Sequence, residues 1–191
     1  MIPSRILVLA FALAWLPAHA VDEPALLKDV PQLLRTGKLS DAERIVDKVL
    51  ATNPKHTAAR FQKSVILGER GKTDEAMAIL QELTAEYPEL PEPYNNLGVL
   101  YAAKGRYDDA RWALESAIKA DPANASALAV ENLGDVYLKL ADLEYEKAAK
   151  LDPKNASLRT KRNSLQGLVT NAKPAVPEPA AKPASPQPAS H

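Results

Sequence analysis

The chain has 191 residues, 24 basic and 24 acidic side chains, and no cysteine. That length suits one domain or two, and the missing cysteines exclude a disulfide scaffold, a cysteine nucleophile, a thiolate zinc site and an iron–sulfur cluster. Zero net charge gives no general pull toward nucleic acid, and three histidines leave little for a histidine-built metal site.

Residues 1–20 read as a secretory signal. Arg5 is the only charge, Ile6 to Leu16 is an apolar run of 11 residues, and Pro17 breaks it ahead of Ala18-His19-Ala20. As a helix that run rises only about 16 Å, short of a bilayer core of about 30 Å. A short anchor or a buried first helix is the alternative. Cleavage after Ala20 is expected, leaving a chain that starts at Val21, does not span a membrane and has an ordered part over 21–170.

The middle of the chain repeats every 34 residues. Glycines fall at 37, 71 and 105, alanines at 42, 76 and 110, and prolines at 54, 88 and 122. Each marker has a physical task. The glycine ends one helix in a left-handed conformation. The alanine, five residues on, sits where two antiparallel helices cross closely. The proline follows the second helix and cannot continue it. Ser40 and Thr73 are the N-cap candidates for the second helices.

On these residues the chain resembles the tetratricopeptide repeat family. The best copy, 91–124, carries Tyr94, Leu97, Gly98, Tyr101, Gly105, Tyr107, Ala110, Leu114, Ala117 and Pro122 at the signature positions. The copy at 23–56 keeps Leu26, Leu33, Ala42, Val46 and Pro54, but Pro31 should kink or delay its first helix. The copy at 57–90 keeps Leu67, Ala76, Leu80 and Pro88, with Arg60 and Lys63 at normally apolar places. Their aliphatic stems can still cover apolar surface. The resemblance implies an all-α, right-handed solenoid of helix-turn-helix repeats.

The fourth copy, 125–156, departs from the pattern. Leu133, Gly134 and Tyr137 match a first helix, and Ala141, Tyr145, Ala148 and Pro153 match a second, but the intervening glycine turn is missing. Tyr137, Ala141, Tyr145 and Ala148 follow one helical face. One long helix from about Ser126 to Leu151 is predicted, with a turn near Asp142 as the alternative. Asn155 can then cap a closing helix to about Val169, with Leu158, Leu165 and Leu168 as its apolar stripe and Lys154, Arg159, Lys161 and Arg162 facing water. Residues 171–191 hold six prolines and six alanines and read as a disordered, polyproline-like tail.

No nucleophile–histidine pair, phosphate loop or metal motif is found. The expectation is therefore no catalysis, no cofactor and no metal. The resemblance implies instead a concave groove lined by the first helix of each pair, at the fifth, ninth and twelfth positions of each copy. The candidate groove residues are Leu34, Phe61, Val65, Asn95, Val99, Ala102, Glu131 and Asp135, apolar toward the N-terminus and acidic toward the C-terminus. Such a wall suits a peptide or amphipathic helix with apolar anchors and a basic end. Asn96 and Asn132 fit either ligand contact or helix-to-helix bonding, and Trp112 is expected on the outer face unless it packs against an adjacent helix. The partners expected are other proteins, with no nucleic acid. The function expected is an interaction adaptor in the bacterial periplasm; the alternative is a regulatory subunit of an envelope polysaccharide or peptidoglycan enzyme.

Overall fold

The computed structural model describes residues 26–123 and 126–171. The expected signal and nearly all of the expected tail lie outside these residues. Eight helices are named here among the described residues: α1 (Val30–Arg35), α2 (Leu39–Thr52), α3 (Thr57–Glu69), α4 (Thr73–Glu86), α5 (Pro91–Ala103), α6 (Tyr107–Ala120), α7 (Ala127–Leu151) and α8 (Ala156–Asn171). Each packs on the next, and α3, α5 and α7 also touch in turn. This is a helical solenoid. Pro31 sits in the first turn of α1 and delays that helix to Val30.

One turn is built three times. Gly37, Gly71 and Gly105 have φ of 70°, 75° and 73°. Each following residue donates its N–H to the carbonyl five residues back: Lys38 to Leu33, Lys72 to Leu67 and Arg106 to Tyr101, each at 2.9 Å. That wrap satisfies carbonyls orphaned at the helix end. The same basic residue then starts the next helix, its carbonyl accepting from Ala42, Ala76 or Ala110 at 2.9–3.1 Å. The five-residue step from glycine to alanine is therefore two helix ends sharing one residue. Ser40 and Thr73 are not N-caps, because Lys38 and Lys72 hold that position. Ser40 instead accepts a hydrogen bond from Arg70 at 3.3 Å. At the other end of each pair, Asn53, Tyr87, Asp121 and Asp152 take φ between −131° and −137° ahead of a proline, the extended backbone that proline imposes on its predecessor.

Two apolar clusters form the core. The first joins Leu27, Val30, Ala42, Val46, Val49, Ala59 and Ile66; the second joins Phe61, Val65, Leu67, Leu80, Leu97, Leu114 and Val136, among others. Helix α3 feeds both, which is why Ser64 to Leu67 are buried as a continuous run.

Charge stands in for grease around α3. Arg60, whose side chain is only 11% exposed, binds Glu82 and Glu86 of α4 at 2.7 Å each. Lys63 binds Glu43 and Asp47 of α2 at 2.9 and 2.8 Å. Glu43 also meets Arg70 at 2.6 Å. The hydrogen bond from Lys63 holds the Glu43 carboxyl below the usual glutamate range, and Arg60 does the same for Glu86.

The fourth copy has no hairpin: α7 runs unbroken from Ala127 to Leu151. Asn155 caps α8 through Leu158 N–H, at 3.2 Å. Arg162 does not face water. It lies in the α7–α8 seam, 3.2 Å from both Asp142 and Glu146, because the leucine stripe of α8 alone is too narrow to hold it. Leu168 of that stripe is 58% exposed.

Two signature glycines now differ in meaning. A Cβ on Gly98 would lie 2.6 Å from Leu114 Cγ, while one on Gly134 would meet nothing within 4 Å. The missing second helix has removed the reason for Gly134. Gly98→Ala is expected to cost roughly 1–3 kcal/mol in urea unfolding by overpacking, whereas Gly134→Ala is expected to be neutral or to stabilise by up to about 1 kcal/mol through helix propensity.

The ion pairs give a second expectation. Glu43 and Glu86 have folded pKa values below their unfolded ones, so their stabilisation is complete above an unfolded pKa of about 4.3 and is lost as pH falls through the lower folded values. Urea midpoints should fall between neutral pH and about pH 3. Glu43→Gln should lower the midpoint at neutral pH and narrow that difference.

Candidate functional site

The successive contacts of α3, α5 and α7 make a common wall from the first helices of neighbouring pairs. The same contacts cover much of it. Phe61, Val65 and Val99 are 8%, 3% and 4% exposed, so they are interior side chains rather than an open apolar lining. A side chain that points along the wall meets the neighbouring wall helix before it meets solvent. Leu34 is half-buried and packs against both clusters. Asn95, Ala102 and Asp135 are half-buried, and Glu131 is exposed. The accessible part of the expected groove therefore lies on α5 and α7 and is mostly polar.

Three amides bind these two helices. Asn132 Nδ2 donates to Asn95 Oδ1 at 3.2 Å, and Asn95 Nδ2 donates to Asn96 Oδ1 at 3.3 Å. The chain ends unsatisfied on both sides: Asn96 Nδ2 and Asn132 Oδ1 are buried without a partner among the described residues. Asn132 thus has a helix-bonding role and keeps an unused acceptor.

Asn132 also lines a half-open cavity of about 220 Å³ between α5, α6 and α7. Val99, Ala102, Tyr107, Leu114 and Val136 give it apolar walls, and Asp135 and Lys139 add charge. Burial, and then the nearby Glu131, push the Asp135 carboxyl above the usual aspartate range, with Lys139 opposing them. The Lys139 ammonium is already engaged, donating to the Val169 carbonyl at 2.8 Å. That bond suits a cation near the C-terminus of α8. Three of the eight residues named from the sequence, Val99, Ala102 and Asp135, meet at this cavity. Tyr107, Leu114, Val136 and Lys139 were not anticipated as lining. For Lys139 the signal was present, since it lies one helical turn beyond Asp135.

Trp112 is 55% exposed and meets Tyr94 edge-on, with ring centroids 6.1 Å apart. Both descriptions hold for it: it is at the surface and it touches the neighbouring helix. Among the described residues, no group of three His, Cys, Asp or Glu side chains is placed to hold a metal ion. No helix there is long and apolar enough to cross a membrane.

Comparison with known proteins bears on the same segment. One tetratricopeptide repeat model matches residues 33–100 and a second matches 91–124. ER membrane protein complex subunit 2-A of Xenopus laevis is 32% identical over 87 residues, which are 46% of this chain and 29% of that protein. The chain therefore spans under a third of that relative. The solved structure of pilF from Pseudomonas aeruginosa superposes with a TM-score of 0.57 at 21% identity, covering 80% of this chain and 71% of that one. MamA from Desulfovibrio magneticus RS-1 gives 0.54 at 24% identity, with 77% of each chain covered. At these identities the structural likeness is one of fold. The thrice-built glycine turn, the stacked helix pairs and the two matching models together place this chain in the tetratricopeptide repeat family.

Proposed function

We propose that this chain is a non-catalytic adaptor of the bacterial cell envelope that captures a segment of another protein on the wall formed by α5 and α7. The family is one of protein–protein interaction scaffolds, and the relative from Xenopus laevis is by its name a subunit of a complex. The observation that carries the reading is the cavity between α5, α6 and α7, where apolar walls adjoin the accessible polar side chains of Asn95, Glu131 and Asp135. Rigid helix pairs hold that surface in shape before a partner arrives, which lowers the ordering cost of capture. The envelope assignment rests on the apolar run Ile6–Leu16 and the Ala18-His19-Ala20 site.

Substitutions at Phe61 or Val99 would probe the core, so the test belongs on accessible positions. A photoreactive residue at Ala102 or Glu131 is expected to crosslink one discrete envelope protein in cells. Charge reversal by Glu131→Lys with Asp135→Lys should abolish that crosslink while helical content is kept; an unchanged crosslink overturns the reading. Export has its own check. N-terminal sequencing of the protein from cells should read Val21-Asp22-Glu23, and an intact Met1 would rule cleavage out.

A further inference from the structure

We propose that the cavity between α5, α6 and α7 is a subsite for a cationic side chain of the partner, a lysine or arginine whose aliphatic stem lies on Val99, Ala102 and Val136 and whose N–H groups reach Asp135 and Asn132. This rests on the α5–α7 wall being the binding face. It goes further in naming what the wall selects.

Size comes first. Sites for drug-sized ligands and cofactors run about 300–1,000 Å³, whereas this cavity is about 220 Å³. It suits one long side chain. Its walls are apolar where a stem would run and polar at the α7 side, the division that a lysine or arginine presents.

Charge selects the sign. Glu131, Asp135 and Lys139 are successive on α7 at four-residue steps, two acids to one base. The single base is committed elsewhere, to the Val169 carbonyl at 2.8 Å. Asp135 carries no hydrogen bond that would hold it charged; burial and Glu131 work against its charge. A carboxylate kept in such a place without a full partner costs stability. An incoming cation offsets that cost.

Hydrogen bonding selects the donor. Asn132 is 3% exposed, lines the cavity and has an Oδ1 with no donor. An unmet buried acceptor costs about 1–3 kcal/mol. Its Nδ2 is held by Asn95, so turning the amide over would break that bond rather than cure the defect. A ligand N–H would satisfy the oxygen without disturbing the amide chain. An anion or a carbonyl would not.

The test uses n-butylammonium and n-butylguanidinium as probes, with n-pentanol and butyrate as the uncharged and anionic counterparts. The protein is ¹⁵N-labelled and followed by NMR. Both cations should shift the Asn132 side-chain amide and the backbone amides of Val99, Asp135 and Val136 saturably, with a dissociation constant on the order of millimolar for so small a ligand. Asp135→Asn should weaken the cations by roughly fivefold or more while leaving the thermal midpoint unchanged or higher, since it removes a disfavoured charge. Pentanol binding as well as the cations, butyrate binding in preference through Lys139, or affinity unchanged by Asp135→Asn would each overturn the proposal. The two readings fail separately. Loss of cation binding with the Ala102 crosslink intact removes the subsite alone; retained cation binding with no crosslink removes the adaptor reading alone.

Discussion

A pair of helices of about a dozen residues each cannot shield both faces of its own apolar surface, and stacking is the only remedy. Everything else in this chain follows from that constraint. The pairs must turn back tightly enough for neighbours to meet, and a left-handed glycine does this in the fewest residues. Because the residue after each glycine closes one helix and opens the next, the period of the sequence is fixed by backbone hydrogen bonding before any side chain packs. Helix α3 shows the consequence most clearly. It is covered by the α1–α2 pair on one side and by α4 and α5 on the other, and so it feeds two clusters at once.

Where apolar surface runs short, charge takes over the same seams. Arg60 and Lys63 occupy positions that the repeat usually fills with hydrophobes, yet each reaches two carboxylates on a neighbouring helix. Arg162 repeats the device between α7 and α8. Exposed pairs of this kind contribute little singly, but several converging on one cation hold an orientation that a single pair does not. They also tie the geometry of the wall to pH and salt, because α3 is itself a wall helix.

The backbone plan was legible because it is local. Glycine, alanine and proline at fixed offsets each report a dihedral or a close approach, and the absence of a glycine between Gly134 and Pro153 was enough to read α7 as continuous. The Asn155 cap was equally local. What could not be read was shielding between repeats. Phe61, Val65 and Val99 were assigned to the wall by position, and their burial depends on how closely α3, α5 and α7 approach one another, which no single repeat encodes. Ser40 and Thr73 misled for a different reason: a good capping side chain is redundant where the preceding turn already supplies the N-cap residue. Arg162 misled because a charged residue on an otherwise apolar stripe was read as solvent-facing, when the stripe was too sparse to close the seam alone.

The array also weakens in one direction. The first and second clusters bury complete side chains from α1 through α6, α7 contributes only Ala129, Asn132 and Val136 to the buried set, and α8 contributes none. In a linear stack each element is held only by its neighbours, so the last helix has one interface, and that interface rests largely on Arg162 and a thin line of leucines. Local opening is therefore cheapest at α8. The Lys139 contact with Val169 joins that least stable element to the cavity on α7. The charge at the one accessible cavity wall is thus set partly by a helix at the edge of stability, and what occupies the cavity and what happens at the end of the array share a single lysine.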